Sequence, residues 1–281
     1  MKPLKIIKRA LRYIIKGVPI QIITAQVKVS KSRNNLEGKH VVITGGSKGI
    51  GYAIAKKCIN EGAIVLICGR GMEALKNSQK TLGGSDKCKI IPFDISDVER
   101  IPDFLEKCYV ALDGKIDCLV NNAGVSFHEK DFRNVTINGF DKQFNVNYKG
   151  SYFLAQQYIL QQEKRNAIDS TNILFISSER GSFHTDIPYG LTKAVINSLV
   201  GGLNNRLASY GSRINALAPG VTVSDMTGRT IDDLTYKPSP CGRVFLPEEM
   251  AEVAIFLLSD FSNCISGEVI NCDYGSHLKC I

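Results

Sequence analysis

The hydrophobic positions change period along the chain. Apolar residues at 4, 7, 11, 14, 15 and 18 recur at helical spacing with Lys and Arg between them. That predicts an amphipathic helix over 1–16, ended by Gly17 and Pro19. Ile20, Ile22, Val27 and Val29 predict a short extended stretch before the polar run 30–35. From Lys39 onward, short β-branched runs alternate with longer segments of helical spacing. Strands are expected over 40–44, 63–68, 89–93, 117–120, 173–176, 213–217 and 268–271. Helices are expected over 52–60, 72–81, 98–112, 140–162, 189–210 and 247–259. Regular β–α alternation predicts an α/β fold, a doubly wound parallel sheet with helices on both faces.

Hydrophobic residues make up 44% of the 281, enough for a buried core and too many for a disordered chain. No apolar run approaches the roughly 18–20 residues of a membrane span. The 35 Lys and Arg against 27 Asp and Glu give a net charge of +8, unevenly placed. Residues 1–36 hold nine cations and no acid, so the remainder is close to −1. A basic amphipathic N-terminal extension, 1–36, therefore precedes one domain, 37–281. The charge distribution argues against nucleic-acid binding, which spreads basic surface over the fold. The extension is too charged and interrupted for a secretory signal. Three readings stay open for it: an arm that joins subunits, an in-plane membrane contact through residues 1–18, or an organelle-targeting sequence. The nine cysteines (58, 68, 88, 108, 118, 241, 264, 272 and 280) form no C-x-x-C pair and no zinc-like cluster. They predict free thiols in a reducing, cytoplasmic setting.

Candidate chemistry begins at Thr44-Gly-Gly-Ser-Lys-Gly-Ile-Gly51, between the first strand and first helix. Gly45, Ser47, Lys48, Gly49, Ile50 and Gly51 form a turn whose backbone N–H groups can approach a pyrophosphate at a helix N-terminus. A Gly-rich turn is specific only in this strand–turn–helix context. Further on, Tyr189 and Lys193 stand four residues apart at a helix start, on one face. A phenol with a pKa near 10 is a poor acid or base at neutral pH. A neighbouring ammonium is expected to favour the phenolate and lower that pKa.

The spacing T-G-x-x-x-G-x-G resembles that of the short-chain dehydrogenase/reductase family, and its other landmarks follow in order. Asp94 follows the third strand, Asn121-Asn-Ala-Gly124 the fourth, and Asn147 lies in the fourth helix. Ser178 follows the fifth strand, Tyr189-x-x-x-Lys193 opens the next helix, and Pro219-Gly220 follows the sixth strand. The resemblance covers about 37–276 and is nearest to 3-oxoacyl-carrier-protein reductases and related sugar, polyol and steroid reductases. It implies a single-domain Rossmann fold. It also implies an oxidoreductase moving hydride between nicotinamide and a carbonyl or secondary alcohol, usually as a homodimer or homotetramer.

What the resemblance implies for single residues follows. Tyr189 donates the proton, and Lys193 holds the nicotinamide ribose. Ser178, favoured over Ser177 by the S-S-x-x-G pattern, bonds the substrate oxygen. Asn147 holds a relay water; its alternative is a helix kink. Asp94 accepts from the adenine amino group beside the Ile95 backbone, and Asp97 is left to cap the next helix. Asn122, Ala123 and Gly124 line the adenine-ribose region, while Asn121 bonds across strands. Pro219, Gly220, Thr222 and Ser224 close over the nicotinamide, with 225–244 as a lid. Relatives that prefer NAD carry an acid where this chain has Gly69. With Lys48 and Arg70 nearby and no acid, NADP (NADPH) is the expected cofactor. His128 and His184 read as surface loop residues beside the pocket. No metal is expected. Two other classes stay open: a binding protein that keeps the fold without catalysis, and a nucleotide-sugar epimerase or dehydratase. Each fits less well, because the Asn147, Ser178, Tyr189 and Lys193 set is complete and the glycine spacing differs from that of the epimerases.

Overall fold

The computed structural model describes residues 34–231 and 234–278. The predicted head helix, the extended stretch after it and Cys280 therefore lie outside the described residues. Seven strands pair in parallel in the order β3-β2-β1-β4-β5-β6-β7. They are β1 (His40–Thr44), β2 (Ile64–Gly69), β3 (Cys88–Pro92), β4 (Cys118–Asn121), β5 (Asn172–Ile176), β6 (Arg213–Pro219) and β7 (Val269–Cys272).

Side chains alternate between the two faces, so each face builds its own core. Val41, Ile43, Val65 and Ile67 pack with helices α1 (Gly49–Asn60), α2 (Met72–Thr81) and α7 (Pro247–Leu258). Val42, Leu66 and Cys68 pack with α3 (Ile101–Ala111), α5 (Ser151–Lys164) and α6 (Pro188–Leu207). Burial on both faces is why the strands read as continuous apolar runs. Truncating a fully buried residue such as Ile43 to Ala would cost about 2–5 kcal/mol through the cavity it leaves.

Three departures from the expected elements bear on the site. The helix expected over 140–162 is broken. A short α4 (Ile137–Gln143), capped by the Thr136 hydroxyl on Gly139 N–H at 3.1 Å, runs into a π-helical stretch, Phe144–Gly150, before α5. A π turn inserts one residue into the helical repeat and rotates the face that follows it. Gly150 sits where any Cβ would come within 2.4 Å of the Ile95 carbonyl, so glycine lets this helix press against the loop after β3. Second, Asp97 makes no capping bond to the helix it precedes; it pairs with Arg100 at 3.4 Å. Third, the boundary drawn at 36/37 cuts through packed chain. Leu36 is 1% exposed in the first core, and its N–H donates to the Glu61 carbonyl at 2.9 Å.

The chain runs outward in opposite directions from β1 and β4, which are neighbours in the sheet. A crevice therefore opens at their carboxyl ends, where open α/β sheets bind ligands.

Candidate active site

That crevice is a cleft of about 1000 Å³. Its walls hold Gly45, Ser47, Lys48, Gly49, Ile50, Arg70, Asp94, Ile95, Asn122, Ala123, Gly124, Ser178, Tyr189, Lys193, Pro219, Gly220, Thr222 and Ser224. Two of the expected residues stand behind the wall. Gly51 is buried, and a Cβ there would meet the Asn122 amide nitrogen at 2.4 Å and the Gly45 carbonyl at 2.5 Å. It is a packing glycine and makes no part of the cleft surface. Asn147 is 1% exposed.

At one end, Gly45 (φ 63°) and Gly49 (φ 56°) adopt the left-handed conformation that bends the loop into α1. No acid lies in the first turn of α1, so its free N–H groups and partial positive charge face the cleft uncompensated. Thr44 stitches the two turns of the crevice together. Its hydroxyl accepts from Asn122 N–H and Ala123 N–H, both at 3.0 Å. The Asn122 amide in turn donates to the Thr44 carbonyl at 2.9 Å and the Gly45 carbonyl at 3.1 Å. This reverses the expected division of labour. Asn122 makes the cross-strand bonds, whereas the buried Asn121 side-chain nitrogen and oxygen have no hydrogen-bond partner among the described residues.

Arg70 is exposed on the cleft wall and makes no ion pair among the described residues. Gly69 has room beside it: a Cβ would meet only Ser47 Oγ at 3.8 Å and Leu75 Cδ2 at 3.9 Å. Lys48 is already engaged, its Nζ 2.8 Å from Asp225 in the lid. Asp94 Oδ1 accepts from Ser96 N–H at 3.0 Å and Ser96 Oγ at 2.7 Å. These observations fit a nicotinamide dinucleotide: a positive helix end for the pyrophosphate, a free cation and open space at the ribose position.

At the other end, Ser177 and Ser178 separate cleanly. Both line the cleft, but the Ser177 hydroxyl is committed to Asn197 Oδ1 at 2.5 Å. Ser178 caps a short turn, Glu179–Gly181, its hydroxyl accepting from Arg180 N–H at 3.2 Å. Lys193, 5% exposed, donates through Nζ to the Ile176 carbonyl at 2.7 Å. Burial pulls its pKa down to about 8. Asn147 is held by Val125 on both sides, accepting from its N–H at 2.8 Å and donating to its carbonyl at 2.9 Å. The Asn147 oxygen and Lys193 Nζ lie against the same glycine: a Cβ on Gly124 would sit 3.4 and 3.8 Å from them. The π-helical stretch breaks the expected continuous helix and carries Asn147 to this place.

The expected electrostatics of Tyr189 need correction. Lys193 Nζ is 5.7 Å from the tyrosine ring centre and is committed to the Ile176 carbonyl. Tyr189 is half-buried, and the protein around its hydroxyl pushes the pKa up. The Ser178 hydroxyl and the Arg180 charge pull it back, and Glu179 adds to the rise. Ionisation of Tyr189 is therefore opposed first by lost hydration, and Lys193 does not reverse that.

Pattern alone does not single out Gly150, Glu179 or Arg180, and it marks Thr44 without giving its role of joining the two turns. His128 lines the cleft and is more than a loop residue, since its Nε2 pairs with the Met226 carbonyl of the lid. His184 is exposed and outside the cleft. Just before the 225–244 segment, the Thr222 carbonyl accepts from Thr227 Oγ1 at 2.7 Å and from Ser224 Oγ at 3.4 Å, and the Ser224 hydroxyl accepts from Thr227 N–H at 3.2 Å. The Ser224 hydroxyl is thus shared with the lid backbone.

A family model described as enoyl-(acyl carrier protein) reductase matches residues 45–277. A 3-oxoacyl-[acyl-carrier-protein] reductase of Aquifex aeolicus is 31% identical over 245 residues, covering 85% of this chain and 98% of its own length. The L-rhamnose 1-dehydrogenase (NADP(+)) of Thermoplasma acidophilum is 33% identical over 255 residues, covering 86% and 97%. Among solved structures, a 3-ketoacyl-(acyl-carrier-protein) reductase from Brucella melitensis, complexed with NADH, superimposes with a TM-score of 0.79 at 28% identity. That likeness spans 86% of this chain and 99% of the other. The match runs from the phosphate-side glycines to the last turn, and its relatives are spanned almost end to end. On that basis the chain belongs to the short-chain dehydrogenase/reductase family.

Proposed function

We propose that this protein is an NADP-dependent oxidoreductase that interconverts a carbonyl compound and its secondary alcohol. One observation carries the reading. Ser178, Tyr189 and Lys193 converge at one end of a single cleft whose other end offers a free Arg70, open space at Gly69 and a helix N-terminus. A nicotinamide bound along this cleft would supply hydride to the carbonyl carbon. Tyr189 gives its phenolic proton to the carbonyl oxygen, so the carbonyl becomes a secondary alcohol with its C–O bond kept, and the phenolate recovers a proton from solvent. The raised pKa keeps Tyr189 protonated, the form that reduction requires. Ser178 places the substrate oxygen beside that proton, a two-donor clamp that favours charge developing on oxygen. Lys193, held against the Ile176 carbonyl, fixes the floor under the ribose. The relative named as NADP-dependent supports the cofactor assignment. The Brucella protein, complexed with NADH, marks the alternative that cofactor titration decides.

The test is Tyr189→Phe. NADPH affinity should stay within about twofold, because the ring still packs. Carbonyl reduction should fall by about 10²–10⁴-fold, the usual contribution of a positioned acid. A variant retaining more than a tenth of the rate would place the proton donor elsewhere.

A further inference from the structure

The turn after β5 carries a cation that the chemistry above does not use. In the S-S-x-x-G pattern, positions 179 and 180 are unspecified, and here they are Glu and Arg. Gly181 fixes the turn against α6, since a Cβ there would lie 2.8 Å from the Lys193 backbone. The Arg180 N–H donates to the Ser178 hydroxyl. Arg180 therefore leaves the backbone at a set place, two residues from the group expected to touch the substrate oxygen.

Its side chain is exposed and lines the cleft. Other charged groups at this end have partners. Lys193 holds the Ile176 carbonyl. The Arg229 guanidinium lies 5.1 Å over the Tyr236 ring. Glu129 accepts from the Gln143 amide at 2.6 Å through Oε1, while its buried Oε2 has no hydrogen-bond partner among the described residues. Glu179 is buried and bonded to Ser276; burial pushes its carboxyl up, the Arg180 charge pulls it back, and no ion pair forms between the two. Arg180 has no ion pair among the described residues. Ser178, Arg180 and Tyr189 line the same cleft, and the Arg180 backbone is bonded to the Ser178 hydroxyl, so a group bound to the guanidinium would belong to the same substrate as the reacting carbonyl.

We infer that Arg180 is a receptor for an anionic group on the substrate, and that the protein acts on oxo compounds carrying a carboxylate or phosphate close to the carbonyl. Guanidinium presents a planar fork that meets either anion with two parallel hydrogen bonds. The inference rests on the proposed reductase activity and narrows its substrate class.

The test compares matched pairs with NADPH: acetoacetate against methyl acetoacetate, and dihydroxyacetone phosphate against dihydroxyacetone. At least one charged member should exceed its neutral partner by about tenfold or more in kcat/KM, and the preferred pair tells carboxylate from phosphate. Arg180→Leu should abolish that preference while leaving the neutral partner within about threefold, and Arg180→Lys should keep part of it. A merely structural arginine would depress both members alike, which would overturn the inference. So would equal or better use of the neutral partner in both pairs. In either case the neutral substrates still report the reductase activity. If none of the four drives NADPH oxidation, the reductase reading falls and this inference with it.

Discussion

Gly69→Asp should turn the cofactor preference around. Gly69 ends β2 with ordinary strand geometry, its carbonyl accepting from Phe93 N–H at 2.9 Å, and a Cβ there meets nothing nearer than 3.8 Å. The substitution therefore adds a carboxylate without displacing its surroundings. A phosphate on the ribose 2′-oxygen carries about −1.5 to −2 charges. At a separation of roughly 6 Å, in a medium between water and the protein surface, repulsion by the added carboxylate costs about 1–3 kcal/mol. That corresponds to about 5- to 150-fold in NADPH affinity. The same carboxylate can accept a hydrogen bond from the unphosphorylated ribose of NADH. A bond to a charged acceptor is worth about 1.5–3 kcal/mol before desolvation, so NADH should gain about tenfold. The NADPH-to-NADH affinity ratio should thus fall by roughly two orders of magnitude. The chain has no Trp, which leaves the reduced-nicotinamide fluorescence free of its usual protein donor, and titration of that signal gives both dissociation constants. Raising salt should shrink the repulsive part, since screening acts within about 10 Å at 0.1 M. Equal affinity for the two cofactors in the unaltered protein would refute the charge argument. So would a Gly69→Asp variant that loses both cofactors in the same proportion.

Three further outcomes are expected. Lys193 has a folded pKa of about 8 against about 10.4 unfolded, so its buried charge opposes folding below pH 8, and that opposition fades as pH rises to about 10.5. Lys193→Met should be inactive yet more stable by about 1–2 kcal/mol at pH 7, after losing the bond to Ile176, and urea unfolding should show that advantage vanish by about pH 10.5. Asp225→Asn should release Lys48 and tighten NADPH about two- to fivefold without changing NADH, a small effect because both partners are about three-quarters exposed; an equal change for both cofactors would show that Lys48 does not meet the 2′-phosphate. A chain beginning at Arg33 should keep full NADPH binding and activity while changing oligomer size on a sizing column or binding to anionic vesicles. One beginning at Gly38 should melt lower, because Leu36 and its bond to Glu61 are gone.

Much of this site can be read from the sequence because backbone geometry writes it there. Gly45 and Gly49 are needed where φ is positive, and Tyr189 and Lys193 share a face by helical periodicity alone. The π-helical stretch is hidden for the opposite reason: a single inserted residue leaves the apolar period almost unchanged, and only the packing of Gly150 on Ile95 and of Asn147 on Val125 locates it. Asn121 and Asn122 are adjacent letters whose side chains leave the strand on opposite faces, so register, not residue type, decides which one stitches the crevice. Lys48 reads as a free cation until the lid brings Asp225, 177 positions away, to 2.8 Å.

The pair at the chemical end shows most clearly what linear reading omits. Four-residue spacing predicts proximity, and from proximity an ammonium that acidifies a phenol. But the same packing that brings Lys193 near Tyr189 also strips water from both, and lost hydration disfavours the charged form of each. The lysine moves towards neutrality and the tyrosine towards protonation, so the two shifts reinforce one resting state, a proton on Tyr189, at the cost of a weaker acid. The cation that does reach the hydroxyl is Arg180, on a different element, at a position the shared motif leaves blank. An anion bound there would cancel that pull and hold the tyrosine protonated still more firmly. Substrate recognition and proton donation would then depend on one guanidinium.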